Sequence, residues 1–256
     1  AAENDVSVII LDRPNPIGRR IYGPIKEKLN FIGMHPIPIR HGMTIGELCY
    51  MINNEGWFTK GLSVQDLEII KMHKLPDDEE YHDWIAPSPN IPNKKTAFIY
   101  NGTCLFEGTN ISEGRGTENP FKYIGAPWID SNHLMNYISA LQNKKYGSKI
   151  KIKKIEFIPK SNEGAKNPKY EGEICYGISI DLDKSVEPIE LSMYLLQYFY
   201  NNYKEFSFNK DFFDILYGSS DFRECLNNNC DIEEILNDID KDVRRFNKIR
   251  EKYLFY

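Results

Sequence analysis

The sequence predicts an α/β protein in which a partial Rossmann-like domain precedes a smaller α+β domain. Three observations predict this fold class. Strand-like and helix-like segments alternate over the first half of the 256 residues, the strand-like runs are rich in β-branched residues, and alternating strands followed by amphipathic helices fill the second half. An apolar content of 41%, with 13% aromatic residues, supplies material for a sizeable core.

The first half has the pattern of successive β/α units. Residues 6–11 form an almost continuous apolar run rich in β-branched residues, which predicts a strand buried on both faces and ending at a proline-containing turn. Thr44 and Glu47 have the spacing of a capping box and predict that a helix begins near Thr44. The other segments predicted here are an extended stretch at 36–39, strands at 67–72 and 96–100, and a loop at 77–92.

The second half differs in its pattern. Two segments alternate apolar and polar residues on either side of a loop rich in Lys, Asn and Gly, which predicts an antiparallel pair. We place a domain boundary near residue 130, so that residues 1–130 hold the later β/α units of the Rossmann-like domain and residues 131–256 form the α+β domain. The predicted segments are a helix at 133–142, strands at 150–158 and 173–182, and helices with apolar stripes at 189–200 and 232–249, the last capped by Asp231 and Glu234.

The composition argues against several classes of protein. The net charge of −5 arises from interspersed acidic and basic residues, so a nucleic-acid partner is not expected. No apolar run is long enough for a membrane span. The five cysteines lack C-x-x-C or Cys/His spacing, and we expect neither a disulfide framework nor a metal site. Because no Gly-x-Gly-x-x-Gly follows a strand, no nucleotide cofactor is expected, and no other cofactor is predicted.

Five motifs occur in order along the chain. They are LDRPNP at 11–16, PIPIRHGMTIGE at 36–47, PSPNIP at 87–92, GTNISEGRGT at 108–117 and GAPWID at 125–130. In this order, and over essentially the whole chain, they resemble the motifs of the NamZ exo-β-N-acetylmuramidase family.

The resemblance implies a bacterial enzyme that removes N-acetylmuramic acid from the non-reducing ends of peptidoglycan fragments. It also implies a Rossmann-like domain and a smaller C-terminal domain with the active site in the cleft between them, and a periplasmic or secreted location. Family members carry a further N-terminal stretch with a Glu-His-Gly motif, whose glutamate is the candidate acid. Because this triplet does not occur here, we expect the chain to be the C-terminal portion of such an enzyme, with the missing N-terminal segment as its partner.

The catalytic candidates are a carboxylate and a histidine. Glycoside hydrolysis generally needs a proton donor and a second group that supports the oxocarbenium-like centre or activates water. Glu113 is flanked by glycines that let the backbone approach a ligand, although a salt bridge between Glu113 and Arg115 is the alternative. His41 is the other candidate, as a hydrogen-bond donor or proton carrier. Glu107 is predicted to bind substrate as a second carboxylate, or else to pin the loop.

The remaining substrate-binding candidates follow from the lactyl carboxylate of N-acetylmuramic acid. A bidentate arginine suits a carboxylate, so Arg40 and Arg115 are rival clamps. The helix that begins after Arg40 also offers backbone N–H groups to an anion. The alternative for Arg40 is an ion pair with Asp12 or another carboxylate. Asn110 and Ser112 are predicted to bind sugar hydroxyl or acetamido groups.

Two other functions stay open. One is a non-catalytic peptidoglycan-binding module that keeps the cleft and has lost the chemistry, which absence of the upstream glutamate from the native gene would favour. The other is a hydrolase that acts on a different bond of the same polymer, such as an amidase.

Overall fold

The computed structural model describes residues 1–27, 29–58, 61–74 and 84–256. Contacts divide the chain into two compact units: unit 1 comprises Ala1–Asp83 and Asn237–Tyr256, and unit 2 comprises Trp84–Leu236. This division differs from the predicted boundary near residue 130, because a strand at Tyr123–Ala126 belongs to the sheet of unit 2 and the last part of the chain belongs to unit 1.

The described residues contain both helices and strands in each unit, which confirms the predicted α/β class. The strands are β1 (Val8–Leu11), β2 (Tyr22–Ile25), β3 (Pro38–Arg40), β4 (Leu67–Ile70), β5 (Tyr123–Ala126), β6 (Ile150–Phe157) and β7 (Cys175–Leu182). The helices are α1 (Ile45–Asn54), α2 (Lys94–Thr103), α3 (Ser131–Leu141), α4 (Pro188–Asn202), α5 (Lys210–Tyr217), α6 (Asp221–Asn227) and α7 (Ile232–Arg250). A 3-10 turn at Cys104–Gly108 follows α2.

Unit 1 contains a parallel pair of strands and an antiparallel pair. β1 pairs with β4 in parallel, from Val8 opposite Leu67 to Leu11 opposite Ile70, and β2 pairs with β3 antiparallel. The strands predicted at 6–11 and 67–72 are therefore confirmed. A parallel pair is the basic pairing of a β/α fold, while the Rossmann-like detail stays a prediction.

The prediction that the first strand is buried on both faces is wrong. Successive side chains of a strand point to opposite faces, and here Val8 and Ile10 are half-buried while Ile9 is 60% exposed and Leu11 62% exposed. The described residues of unit 1 cover one face of β1. A continuous apolar run records hydrophobicity on both faces, and it does not report which face is covered.

Helix α1 begins as the capping box predicts. The Thr44 hydroxyl accepts a hydrogen bond from the Glu47 N–H at 3.2 Å, and the Glu47 carboxylate accepts one from the Thr44 N–H at 3.0 Å. The helix then buries Met51 against Met43 and Phe246, the latter from α7. This small core joins α1 to the last helix of the chain.

Unit 2 is built on an antiparallel sheet of strand order β5-β7-β6. Ile150 lies opposite Leu182, and the register continues to Phe157 opposite Cys175, as the alternating segments predict. β5 adds to the other side of β7, with Ala126 opposite Tyr176. The short helix predicted at 133–142 is confirmed as α3, and the apolar stripe at 189–200 lies on α4.

The strand predicted at 96–100 is wrong, because these residues lie in helix α2. The Asn93 side chain accepts a hydrogen bond from the Thr96 N–H at 2.9 Å and caps the helix start. A short apolar run does not by itself distinguish a strand from a buried helix segment. Upstream, residues 84–92 are irregular as predicted, and the rest of the loop predicted at 77–92 lies outside the described residues.

The end of the chain confirms one prediction and corrects another. The Asp231 carboxylate accepts a hydrogen bond from the Glu233 N–H at 3.1 Å, as expected for a cap of α7. Cys225 and Cys230, for which no pairing was expected, form a disulfide. The two cysteines flank the end of α6, where the chain turns and brings them together.

Within the described residues, no helix has both the length and the apolar character needed to cross a membrane.

Candidate functional site

The predicted site residues fall into two groups. Arg40 and His41 lie in unit 1, at the end of β3 and the loop that follows it. The other five, Glu107, Asn110, Ser112, Glu113 and Arg115, lie in unit 2, in the 3-10 turn after α2 and the glycine-rich loop that follows it.

The N-terminus of α1, predicted to offer N–H groups to a substrate anion, is occupied by a carboxylate of the protein itself. Asp12 is buried and accepts hydrogen bonds from the Gly46 N–H at 2.8 Å and from the Thr44 hydroxyl at 2.9 Å. The Tyr256 hydroxyl donates to the same carboxylate at 3.0 Å. This prediction is therefore wrong, since an aspartate from the end of β1 takes the position that an anionic ligand would need.

Glu47 has a larger structural role than capping alone. Its fully buried carboxylate accepts hydrogen bonds from the Arg19 guanidinium at 3.0 Å and from the Phe255 N–H at 2.9 Å. It therefore connects the start of α1 both to the loop before β2 and to the last residues of the chain.

Arg40 and His41 are both held by backbone groups. Arg40 is 4% exposed, and its guanidinium donates to the Ile17 carbonyl oxygen at 2.9 Å. The His41 Nδ1 accepts a hydrogen bond from the Met43 N–H at 3.2 Å. Burial, and next the charge of Arg250, lowers the pKa of His41 from 6.5 to about 4, against the opposite effect of Glu47. His41 is therefore neutral at pH 7, which favours a hydrogen-bonding role over delivery of a proton.

The lowered pKa of His41 predicts a dependence of stability on pH. His41 of the unfolded chain becomes protonated below pH 6.5, whereas in the folded chain it becomes protonated only near pH 4. Because the unfolded chain binds the proton more readily, this histidine destabilises the fold increasingly as the pH falls. Between pH 7 and pH 5 its contribution should cost about 2 kcal/mol. We expect urea unfolding of His41→Asn, which keeps an acceptor for the Met43 N–H, to show a smaller loss over this range than the parent. An equal loss in both would contradict the assignment.

The glycine-rich loop of unit 2 has a backbone that requires glycine. Gly114 and Gly116 have φ angles of 75° and 82°. Residues that carry a side chain rarely adopt this backbone region. A Cβ at Gly116 would also lie 2.7 Å from the Lys160 carbonyl oxygen. The loop therefore lies directly against the segment that follows β6, and that segment brings further polar groups to it.

Two carboxylates and two cations meet at this loop. Arg115 Nη1 lies 3.2 Å from Glu107 Oε1, and Lys169 Nζ lies 2.9 Å from Glu113 Oε2. The alternative predicted for Glu113, a salt bridge with Arg115, is not the pairing observed, because Arg115 reaches back to Glu107. Glu113 is almost completely buried, whereas the Arg115 side chain is 35% exposed. We call these residues, Glu107, Glu113, Arg115 and Lys169, the carboxylate cluster.

The surroundings of Glu107 in the carboxylate cluster shift its pKa upward. Burial raises the pKa of Glu107, and the nearby negative charge of Glu113 raises it further. Arg115 and Lys169 act in the opposite direction without cancelling the effect. A carboxyl group whose pKa is raised in this way, next to a second carboxyl group, is a candidate for an acid.

Asn110 and Ser112 have structural partners. The Asn110 side chain donates to the Glu205 carbonyl oxygen at 2.7 Å and accepts from the Ser207 N–H at 2.9 Å. Ser112 is buried, and its hydroxyl accepts from the Gly114 N–H at 3.2 Å. Both residues hold the glycine-rich loop in place, and their predicted contacts with sugar remain predictions.

Sequence reasoning missed Lys169 and Tyr170. The Tyr170 hydroxyl donates to the Asn110 carbonyl oxygen at 2.7 Å and accepts from the Trp128 indole at 3.1 Å. Both missed residues belong to the loop between β6 and β7, which carries no motif of its own. Only the contact of this loop with the glycine-rich loop identifies them.

Comparisons with known proteins give consistent matches. A family model described as exo-beta-N-acetylmuramidase NamZ, N-terminal, matches residues 1–95, and its C-terminal counterpart matches residues 98–256. Peptidoglycan beta-N-acetylmuramidase NamZ of Bacillus subtilis (strain 168) is 36% identical over 269 residues, which cover 100% of this chain and 61% of that protein.

Two solved structures of DUF1343 family proteins from Bacteroides fragilis NCTC 9343 are also similar. One has a TM-score of 0.75 at 34% identity, and the other has a TM-score of 0.84 at 28% identity. Each match covers 100% of this chain, with 67% and 68% of the respective solved chains.

Proposed function

The chain belongs to the NamZ family of exo-β-N-acetylmuramidases, and on that premise we propose that it takes part in hydrolysing the β-linkage of terminal N-acetylmuramic acid in peptidoglycan fragments. The chain spans 61% of the length of the Bacillus subtilis relative. The activity, the substrate and the partners of the whole protein are therefore parts of this proposal.

The observation that carries the proposal is the carboxylate cluster of unit 2. Glycosidases of most families use a pair of carboxyl groups, one to protonate the leaving oxygen and one to support the positive centre or to activate water. Glu107, whose pKa is raised by burial and by Glu113, is suited to hold the proton. Glu113, paired with Lys169, is suited to supply the negative charge. In this assignment Glu107 has the acid role, and Glu113 keeps the catalytic role predicted from its glycine-flanked position.

Arg115 is the better supported clamp for the lactyl carboxylate. A clamp must reach the substrate, and the Arg115 side chain is 35% exposed while Arg40 is 4% exposed. Its guanidinium has a planar fork of donors that can pair with a carboxylate in two parallel hydrogen bonds. His41, neutral at pH 7, is assigned a hydrogen-bonding role in unit 1.

Two further statements belong to the same proposal. A periplasmic or secreted location is proposed because peptidoglycan lies outside the cytoplasmic membrane. The N-terminal segment with a Glu-His-Gly motif, expected from the resemblance, stays a prediction, and its glutamate is the rival of Glu107 for the acid role.

The proposal is tested with chromogenic glycosides of N-acetylmuramic acid and of N-acetylglucosamine, which lacks the lactyl group. We expect the protein to release the chromophore from the muramide much faster than from the glucosaminide. Arg115→Ala should reduce this preference, because the substrate carboxylate loses its partner. A well-folded protein that is inert towards both glycosides would contradict the enzymatic proposal, and equal losses on both substrates would exclude Arg115 as the clamp.

A further inference from the structure

Lys169 is surrounded by oxygen atoms. Its ammonium nitrogen lies 2.8 Å from the Phe106 carbonyl oxygen, 3.0 Å from the Ile111 carbonyl oxygen and 2.9 Å from Glu113 Oε2. The Glu107 carbonyl oxygen lies slightly further away, at 3.3 Å. The ammonium group has three N–H donors, and these acceptors can satisfy all of them from a single stretch of chain, residues 106–113.

These contacts connect Lys169 to both glutamates of the carboxylate cluster, Glu107 and Glu113. It forms an ion pair with the side chain of Glu113 and a hydrogen bond with the backbone of Glu107. Because Glu113 is almost completely buried, its interaction with Lys169 is screened by water less than that of a surface pair. Lys169 is thus placed to set the distance and the relative charge of the two carboxyl groups.

The loop that carries Lys169 has an unusual backbone. Asn167 has a φ angle of 50° and Tyr170 one of 57°, which places residues other than glycine in the left-handed region on both sides of the lysine. Such a conformation is unfavourable for most L-residues and persists only where the surrounding contacts enforce it. Here the Tyr170 hydroxyl donates to the Asn110 carbonyl oxygen at 2.7 Å, which holds the loop against the glycine-rich loop.

A second pair of contacts holds the other end of the same loop. The Gly164 carbonyl oxygen accepts from Arg115 Nη2 at 3.3 Å and from Asn90 Nδ2 at 2.5 Å. Asn90 belongs to the PSPNIP motif, whose function the sequence left open. The motif therefore helps to hold the segment that presents Lys169.

From these contacts we propose that Lys169 is a positioning residue for the Glu107 and Glu113 pair. Its ammonium group fixes the stretch 106–113, which carries both carboxylates, and supplies the positive charge that Glu113 faces. The inference rests on the proposed function, because it assigns Lys169 a role in the reaction of that same site. The loss of a purely structural lysine would lower the melting temperature and leave kcat unchanged.

The test compares Lys169→Met and Lys169→Gln with Lys166→Met, a control that removes an exposed lysine from the same loop. Thermal unfolding, kcat, KM and the pH dependence of kcat are measured on the chromogenic muramide. We expect both Lys169 variants to lose on the order of 10²-fold in kcat with a KM close to that of the parent. The Lys166 variant should retain the parent kcat.

The pH profile separates positioning from structural support. The charge of Lys169 lowers the pKa of Glu107, so its removal should raise that pKa and move the basic limb of the kcat profile to higher pH. Lys169→Gln keeps donors for the carbonyl oxygens and provides a folded variant if Lys169→Met unfolds. A lower melting temperature with kcat and the basic limb unchanged would overturn the inference and leave Lys169 as a structural residue.

A readout independent of activity separates this inference from the proposed function. The side-chain carboxyl carbon of Glu107 is titrated by NMR in the parent and in Lys169→Gln. We expect its midpoint to rise in the variant even if the parent hydrolyses no muramide, a result that would reject the proposed function and not the placement of Lys169. An unchanged midpoint would overturn the inference.

Discussion

Glu107→Gln is expected to lower kcat on a chromogenic N-acetylmuramide by about 10²–10⁴-fold, the usual contribution of a general acid. Gln has nearly the same shape and can still accept the hydrogen bond from Arg115, so the loop should remain intact. The proton, however, is lost. The variant and the parent should have melting temperatures within a few degrees of each other, and the comparison of kcat then isolates the chemical role.

Two companion variants sharpen this experiment. Glu118→Gln removes an exposed carboxylate from the same loop and should leave kcat close to the parent value. Glu113→Gln removes the charge that raises the pKa of Glu107, so the remaining activity should have its basic limb at lower pH. If Glu107→Gln retained kcat within a few-fold of the parent, Glu107 would not be the acid, and the expected upstream glutamate would take its place.

Glu47→Ala is expected to produce the largest loss of stability. The substitution removes a fully buried carboxylate that holds Arg19, the Thr44 N–H and the Phe255 N–H. Removing one partner of a buried ion pair typically costs about 3–5 kcal/mol. For a chain of this size, such a loss lowers the melting temperature by roughly 6–20 °C.

Thermal unfolding followed by circular dichroism measures this effect. Glu68→Ala, which removes an exposed glutamate from β4, is the matched control and should change the free energy of unfolding by less than about 0.5 kcal/mol. A loss as small in Glu47→Ala as in the control would mean that the contacts of Glu47 contribute little to folding.

Several features of the fold depend on contacts close in sequence, and these could be predicted. The capping box joins Thr44 to Glu47 across one helical turn, so its spacing alone identifies the start of α1. The alternation at 150–158 and 173–182 similarly predicts the β6 and β7 pair, because a half-buried strand repeats every two residues. The amphipathic stripe of α7 follows from the helical repeat.

The candidate site could be predicted from the sequence only in part. The glycine-flanked Glu113 was identified from sequence, but its partner Lys169 was not, because 56 residues separate them and the lysine lies in a loop without a motif. The pKa of Glu107 is raised first by burial and next by Glu113, and it is opposed by the charges of Arg115 and of the distant Lys169, so its value depends on how the chain folds around it. A sequence shows that a carboxylate is present, and only its neighbours in space decide its protonation.

The sequence by itself determined the family, the α/β class and the local start of α1, because motif order and helical spacing are properties of neighbouring residues. Tertiary structure alone decided that 96–100 is a helix, that one face of β1 is exposed, and that Asp12 fills the N-terminus of α1 from 34 residues away. In each case the deciding quantity is burial or a contact between distant segments, and these arise only when the chain folds.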